Sequence, residues 1–424
     1  MSGGAALAPA LRDAARMVAR VASGRSLADQ FGPGGEQDGR ARAALIDLTH
    51  GTLRRYGAVQ GIVGALSRRG LPDPLVQALL WCALYALQSG RYTEYTVVDQ
   101  AVRACTLLER WPAKDYVNGL LRTYLRSRDE VETRLRASEE ARFQHPQWWI
   151  ELVRGAYPQH WTEILAAGNV HPPMTLRVNA RRVPTAQYLA RLTEAGIAAR
   201  AVGDSAVLLD KPVPLERLPG FRDGDVSIQD AGAQRAAGLL ELERGLRVLD
   251  ACAGPGGKSA HILERADVSL TALDADPARS ERVTHNLERL SLRADVRAAD
   301  CTRPQSWWDG APFDRILADV PCSASGVARR HPDLKWLRRA GDASAFATRQ
   351  AAMLDSLWQL LAANGKLLYV TCSVFPQENQ EVAQAFVART HGARLLSLPD
   401  GGESQWLPGS RHDGFFYALI QKQA

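Results

Sequence analysis

The sequence predicts an α/β protein: a doubly wound, Rossmann-like parallel sheet in the C-terminal half, preceded by an all-α domain and a small α/β unit. Three patterns carry this expectation. From about residue 236 short apolar strands alternate with amphipathic helices, as they do when helices cover both faces of a parallel sheet. The first ~145 residues show apolar positions at helical spacing and no strand-like alternation. Between them, HPPMTLRVNARRVPTAQYLARLTEAGIAARAVGDSAVLLD (171–210) switches from strand to helix to short alternating strands. A chain of 424 residues has room for two or three domains, and the expected boundaries are 1–145, 146–235 and 236–424.

In the first domain, breakers such as GPGG at 32–35 and RGLPDP at 69–74 separate the helices. One helix starts after Pro74 with Leu75, Leu79, Cys82, Ala83 and Leu87 on one stripe; another carries Val98, Val102, Cys105 and Leu108. Both stripes read as core, with Cys82 and Cys105 as small buried apolar groups. In the middle unit Thr185 is a candidate helix cap and Gly196 a stop, with Tyr188, Leu189 and Leu192 packed between them. In the last domain LRVLDAC, SLTALDAD, ADVRAAD, FDRILADVPC and GKLLYVTCS read as strands.

With 46% hydrophobic and 23% charged residues and no uninterrupted apolar run of about 18 residues, the composition is that of a soluble globular protein. The start has no basic segment followed by an apolar core, so no export signal is expected. Six cysteines without a CxxC pair argue against a disulfide framework or a zinc site and fit a reducing cytoplasm. The net charge of +6 suits an anionic partner, and most of it is local: residues 1–147 hold 20 Lys+Arg against 15 Asp+Glu, a balance of +5.

Chemistry concentrates at strand ends. Cys252, Ala253, Gly254, Pro255, Gly256, Gly257 and Lys258 form CAGPGGK between a strand and a helix, where glycines admit a ligand close to the main chain and the helix N-terminus offers free N–H groups. Asp274 ends the next strand, sixteen residues after Lys258 (274 − 258 = 16), where an acid can accept both ribose hydroxyls of a nucleoside. Asp300 follows the third strand, placed to accept from an adenine amino group. A phosphate-binding loop is disfavoured, because G-x-x-x-x-G-K-[ST] needs glycine where Cys252 stands. A dehydrogenase is disfavoured too, since this turn lacks G-x-G-x-x-G.

The fourth strand ends in Asp319, Val320, Pro321 and Cys322, and the fifth in Thr371, Cys372 and Ser373. If these strands pair directly their ends lie about 5 Å apart, which brings together thiols fifty residues apart in sequence (372 − 322 = 50). Two thiols in one crevice beside a nucleoside site point to covalent catalysis rather than to structural cysteines.

At these residues the chain resembles the Nop2/Sun family of 5-methylcytosine RNA methyltransferases. CAGPGGK, DVPCSASGVARRHPDLKW and TCSVFPQENQEV look like its cofactor loop and its two cysteine motifs, over roughly residues 145–424. The resemblance implies a class I methyltransferase domain, S-adenosylmethionine as cofactor, Cys372 as the nucleophile and Cys322 as an aid to product release. DNA cytosine methyltransferases instead use the PC cysteine, so the TCS motif implies RNA and not DNA. HGTLRRYGAVQGIV and YVNGLLRTYLR resemble NusB-like RNA-binding domains. That fusion is the arrangement of bacterial enzymes acting on 16S ribosomal RNA, at a cytosine of the type numbered 967; another RNA, such as tRNA or 23S ribosomal RNA, is the alternative. Two small departures are Gly254, where alanine is usual, and Val320, where alanine is common.

The implied chemistry is coherent. Adding a thiolate across C6 of cytosine makes C5 nucleophilic enough to take a methyl group. Nearby cations, with Arg329, Arg330 and Lys335 as candidates, would favour the thiolate. Asp319 is suited to hydrogen-bond the cytosine edge. The base must be unstacked or single-stranded, and the helical domain with Arg177, Arg181 and Arg182 is a candidate for holding phosphates. Gln229 and Asp230 are candidate lining residues. No membrane or protein partner is implied. A non-catalytic RNA-binding factor leaves the thiols unexplained, and a small-molecule methyltransferase leaves both Cys372 and the basic domain unexplained.

Overall fold

The computed structural model describes residues 7–30, 39–67, 70 and 73–424. The breaker GPGG at 32–35 and residues 69, 71 and 72 of RGLPDP lie outside the described residues. The chain forms two compact units: one reaches to His171 and includes Ala328–Ala340, and the other comprises Pro172–Val327 and Gly341–Ala424. Among the described residues no helix is long and apolar enough to cross a membrane.

The first unit is helical throughout its described residues. Its central helix, Pro74–Ser89, begins where the Asp73 side chain accepts from Leu75 N, with proline in the first turn, and stops at left-handed Gly90; both ends are encoded locally. Cys82 and Cys105 are fully buried in the core of this unit. The helices Gln147–Ala156 and Trp161–Ala167, beyond the boundary drawn at 145, group with this unit. Residues 328–340 complete it: Asp333 accepts from Leu27 N (2.8 Å), Trp336 Nε1 donates to Leu53 O (2.9 Å), and Arg54 donates to Arg329 O (3.1 Å). Lys335, fully buried, donates to Gln144 O (2.9 Å) and Asn169 Oδ1 (2.8 Å). The candidate cation Lys335 is therefore committed to carbonyl oxygens of the helical unit, which corrects its assignment as a partner for the thiols.

The second unit starts with strands β1 (Thr175–Val178), β2 (Ala199–Ala201), β3 (Ala206–Leu209) and β4 (Val226–Ile228), an antiparallel sheet in the order β2-β3-β1-β4. Helix Thr185–Glu194 buries Tyr188 and Leu192. Thr185 is its first residue, not its cap: the hydroxyl donates to Asp204 O. Gly196, at φ +68°, follows its end. Arg177 corrects another expectation. It is fully buried on β1 and donates to both oxygens of Glu264 (2.8 Å each), to Gln229 Oε1 and to Gly257 O (2.6 Å each). Four of its five N–H donors are spent inside the unit, and full burial closes the group to a phosphate. Arg181 bonds Glu264 O and Asp267, and Arg182 bonds Asp223 O and Leu290 O.

The main sheet contains β5 (Arg247–Asp250), β6 (Ser269–Asp274), β7 (Asp295–Ala298), β8 (Phe313–Asp319), β9 (Leu361–Thr371), β10 (Ala393–Leu396), β11 (Gln405–Trp406) and β12 (Phe415–Lys422). Its order is β10-β12-β9-β8-β5-β6-β7, with β11 beside β12. The five strands β7, β6, β5, β8 and β9 are parallel, as expected. The sheet as a whole is mixed, because β12 runs antiparallel to β9 and β10 antiparallel to β12. Apolar cores lie on both of its faces. Chain order reverses between β5 and β8, and at such a switch point the loops leaving the strand ends diverge and open a crevice.

Candidate active site

The glycine turn after β5 and the acid ending β8 meet in that crevice: Lys258 Nζ donates to Asp319 Oδ2 at 2.6 Å. Burial alone would lower the Lys258 pKa, but attraction to Asp319 outweighs it, and charge on Cys372 adds to the upward shift. Lys258, which the sequence grouped with the cofactor turn, is thus the cation whose field reaches Cys372.

The turn itself is tied to β6. Gly254 N donates to Asp274 Oδ2 (3.0 Å), and Asp276 N donates to Asp274 Oδ1 (3.0 Å). A Cβ at residue 254 would lie 2.5 Å from that Asp274 oxygen and 2.7 Å from Arg279 Cβ, so this close approach requires glycine. Gly256 has φ +96°, a conformation costly for other residues. Ala253 N donates to Leu273 O (2.7 Å). Pro255 and Gly257 complete the turn into helix Gly257–Arg265. Cys252 is half-buried; hydrogen bonding to Cys301 and then burial push its thiol well up. Asp300 sits exposed beyond β7 and accepts from Thr302 N and Oγ1, which with burial opposing leaves its carboxyl below the usual value.

On the other side of the switch point, β8 and β9 pair with Asp319 opposite Val370. The Cys322 and Cys372 sulfurs lie 3.4 Å apart, Cys322 buried and Cys372 half-buried. The hydrogen bond with Cys372, then burial, raises the Cys322 pKa well above the ordinary thiol value. Cys322 accordingly holds its proton beside the Cys372 sulfur.

Sequence reasoning missed what holds the two thiols together. Glu378, fully buried, accepts from Ser323 N (2.6 Å), Ser323 Oγ (2.5 Å) and Ser373 Oγ (2.6 Å). Those serines directly follow Cys322 and Cys372, so one carboxylate clamps both cysteine loops. Asn379 adds to this, accepting from Thr371 Oγ1 and donating to Ser373 O, and Gln350 Nε2 donates to Pro321 O (3.0 Å). The signal in the sequence was an acid in PQENQ six residues after Cys372 (378 − 372 = 6). Asp250 was also missed. It lies buried at the end of β5, accepts from Ser259 Oγ (2.6 Å), and has its carboxyl pushed up to about 7 by burial. Of the candidate lining residues, Gln229 is spent on Arg177, and Asp230 caps helix Ala231–Leu239 through Gly232 N while accepting from Asp413 N.

A glycine turn, acids beyond successive parallel strands and an antiparallel C-terminal strand together define the methyltransferase domain of an α/β protein with a NusB-like helical N-terminus. Three family models match the chain: 16S rRNA methyltransferase RsmB/F over residues 237–421, its ferredoxin-like domain over 145–216, and the NusB family over 10–126. The chain is 41% identical over 409 residues to ribosomal RNA small subunit methyltransferase B of Vibrio cholerae serotype O1, covering 94% of each chain. It is 42% identical to the protein of the same name from Pseudomonas putida, covering 97% of this chain and 98% of that one. The crystal structure of PH0851 shares the fold, with a TM-score of 0.80 and 21% identity over 97% of this chain and 99% of that one. The chain therefore belongs to the 16S rRNA methyltransferase RsmB/F family.

Proposed function

We propose that the chain methylates C5 of a specific cytosine in 16S ribosomal RNA, of the type numbered 967, through an adduct between Cys372 and C6. The observation that carries this reading is the pair of thiols 3.4 Å apart beside the Lys258–Asp319 ion pair. A cytoplasmic protein follows from the reading.

The turn suits S-adenosylmethionine: glycine at 254 lets the main chain come against the Asp274 carboxylate, so the turn after β5 and the acid ending β6 lie together. Asp274 is assigned to the ribose hydroxyls, Asp300 to the adenine amine, and residues 252–258 to the remainder of the cofactor, which when bound supplies the methyl group. Cys372 adds as thiolate to C6, and the electron pair displaced from the C5–C6 bond makes C5 nucleophilic. Asp319 accepts from the exocyclic amine and from N3, which takes a proton from water as charge builds on the ring, while Lys258 holds Asp319 in place and sets a positive charge near Cys372. After transfer, which leaves the demethylated cofactor, the C5 and N3 protons pass to water, the C5–C6 double bond re-forms and Cys372 departs as thiolate. Cys322, which holds its proton, assists that release.

The test is incubation with tritiated S-adenosylmethionine and unmodified 16S ribosomal RNA, followed by digestion to nucleosides. Label in 5-methylcytidine is the expected result. Label only in tRNA or 23S ribosomal RNA moves the substrate, and no label in any RNA overturns the reading in favour of a non-catalytic RNA-binding factor.

A further inference from the structure

The second unit holds a cavity that the reaction above does not use. The turn 202–206 between β2 and β3, the helices Ala231–Leu239 and Gly257–Arg265, and the segment 399–412 enclose about 600 Å³, within the range of about 300–1,000 Å³ typical of sites for small organic groups. Its wall is aromatic: the Trp406 ring has the Arg235 guanidinium 4.7 Å from its centroid and the His412 ring at 4.5 Å. Arg235 is itself spent on Asp400 and on Glu403 O, so Trp406 is braced by a residue with no charge to spare. His261 lines the cavity at 4% exposure, and its buried Nδ1 has no hydrogen-bond partner among the described residues. Burial and the fields of Arg177 and Arg265 lower its pKa well below the usual value, so it lines the cavity as a neutral imidazole.

At the mouth, Arg265 and Arg411 are exposed and make no ion pair among the described residues. They face one uncompensated acid, Asp204, because Asp400 is neutralised by Arg235. The cavity is also tied to the thiol site. Gln405 Nε2 donates to Ser373 O (3.3 Å), and Asp413 N donates to Asp230 Oδ1 (3.1 Å), so the segment walling the cavity is anchored one residue from Cys372.

A braced aromatic and a neutral imidazole inside, with two uncommitted guanidinium groups at the rim, match a base attached to phosphates. We propose that this cavity holds a nucleotide of the substrate RNA strand adjoining the methylated cytosine, its base toward Trp406 and His261 and its phosphates at Arg265 and Arg411. The proposal rests on the RNA methyltransferase reading above.

The test uses the full chain and a 16S-derived oligonucleotide carrying 4-thiouridine beside the target cytosine. Photo-crosslinks should map to residues 399–412. The Arg265→Ala, Arg411→Ala double variant should bind the same RNA about tenfold more weakly at low salt, with a salt slope shallower by about 1.4, the value for two single-strand phosphate contacts. A control pair on exposed arginines that do not line the cavity, Arg217→Ala with Arg394→Ala, should bind as the wild type does. Methyl transfer with crosslinks elsewhere and unchanged binding in the double variant overturns the cavity and leaves the reaction standing. Crosslinks to 399–412 without methyl transfer overturn the reaction and leave the cavity standing. Absence of any crosslink overturns the proposal.

Discussion

Lys258 Nζ donates to Asp319 Oδ2 at 2.6 Å, joining the turn after β5 to the end of β8. The pair does two things at once: it fixes the Asp319 side chain at the crevice, and it brings a positive charge within reach of Cys372. Lys258→Met should slow methyl transfer by roughly a hundredfold or more, the usual cost of deleting one electrostatic contact in a water-poor site. It should also slow alkylation of Cys372 by iodoacetamide several-fold, read by mass spectrometry. Unchanged alkylation would show that the ammonium serves Asp319 alone.

Glu378 ties the backbone and hydroxyl after Cys322 to the hydroxyl after Cys372. Glu378→Ala leaves three buried donors without their acceptor and should cost about 3–9 kcal/mol of stability, at roughly 1–3 kcal/mol per orphaned group. Glu378→Gln, which keeps the shape and one acceptor, should recover most of the stability. The thiol geometry supplies a separate readout: diamide should join Cys322 to Cys372 rapidly in the wild type and more slowly in the folded Gln variant. Equal oxidation rates would reduce Glu378 to a residue of the core.

Arg177 gives both terminal nitrogens and Nε to neighbours inside the second unit, with Glu264 held by two bonds. Removing one partner strands the other charge away from water, so Arg177→Met should destabilise the protein by about 3–5 kcal/mol in a denaturant melt. The salt slope of RNA binding should not change. A shallower slope would return Arg177 to the phosphate-binding role that its position near the first strand implied.

Asp250 has its carboxyl pushed up to about 7 by burial, from an ordinary value of 3.8. The folded state therefore holds a proton that the unfolded state has already released, and stability falls as pH rises through that window, levelling off above about 7. Asp250→Asn removes this dependence while keeping an acceptor for Ser259. In thermal melts the variant should gain on the wild type by several degrees between about pH 5 and pH 8. A constant offset across that range would mean that Asp250 ionises without penalty.

The parallel strands, the glycine turn and both cysteine motifs were legible in the sequence because each is a local pattern: an apolar run, a breaker, then a polar residue at the strand end. The antiparallel edge was not read. FFYALI is an unbroken apolar run that fits helix or strand equally well, and only pairing with β9 decides for β12. The same limit explains Arg177 and Lys335, which look like solvated cations until acceptors 87 residues away at Glu264 and 191 residues away at Gln144 bury them. Glu378 sits in a stretch that reads as a turn, and its function depends on loops fifty residues apart being adjacent. Gly254 is the reverse case: it differs from the family pattern by one methyl group, and the contact with Asp274 explains why that methyl group is absent here.

The central claim is that Cys372 bonds to the pyrimidine and Cys322 helps it leave. The most direct measurement incubates Cys322→Ala with S-adenosylmethionine and 16S ribosomal RNA, isolates protein that stays attached to RNA under denaturing conditions, and maps the linkage by mass spectrometry. A methylated cytosine attached to the peptide bearing Cys372, and no attachment when Cys372→Ala is added, is the predicted result. Attachment in the Cys372→Ala single variant, carried by Cys322, would reverse the two roles and contradict the account.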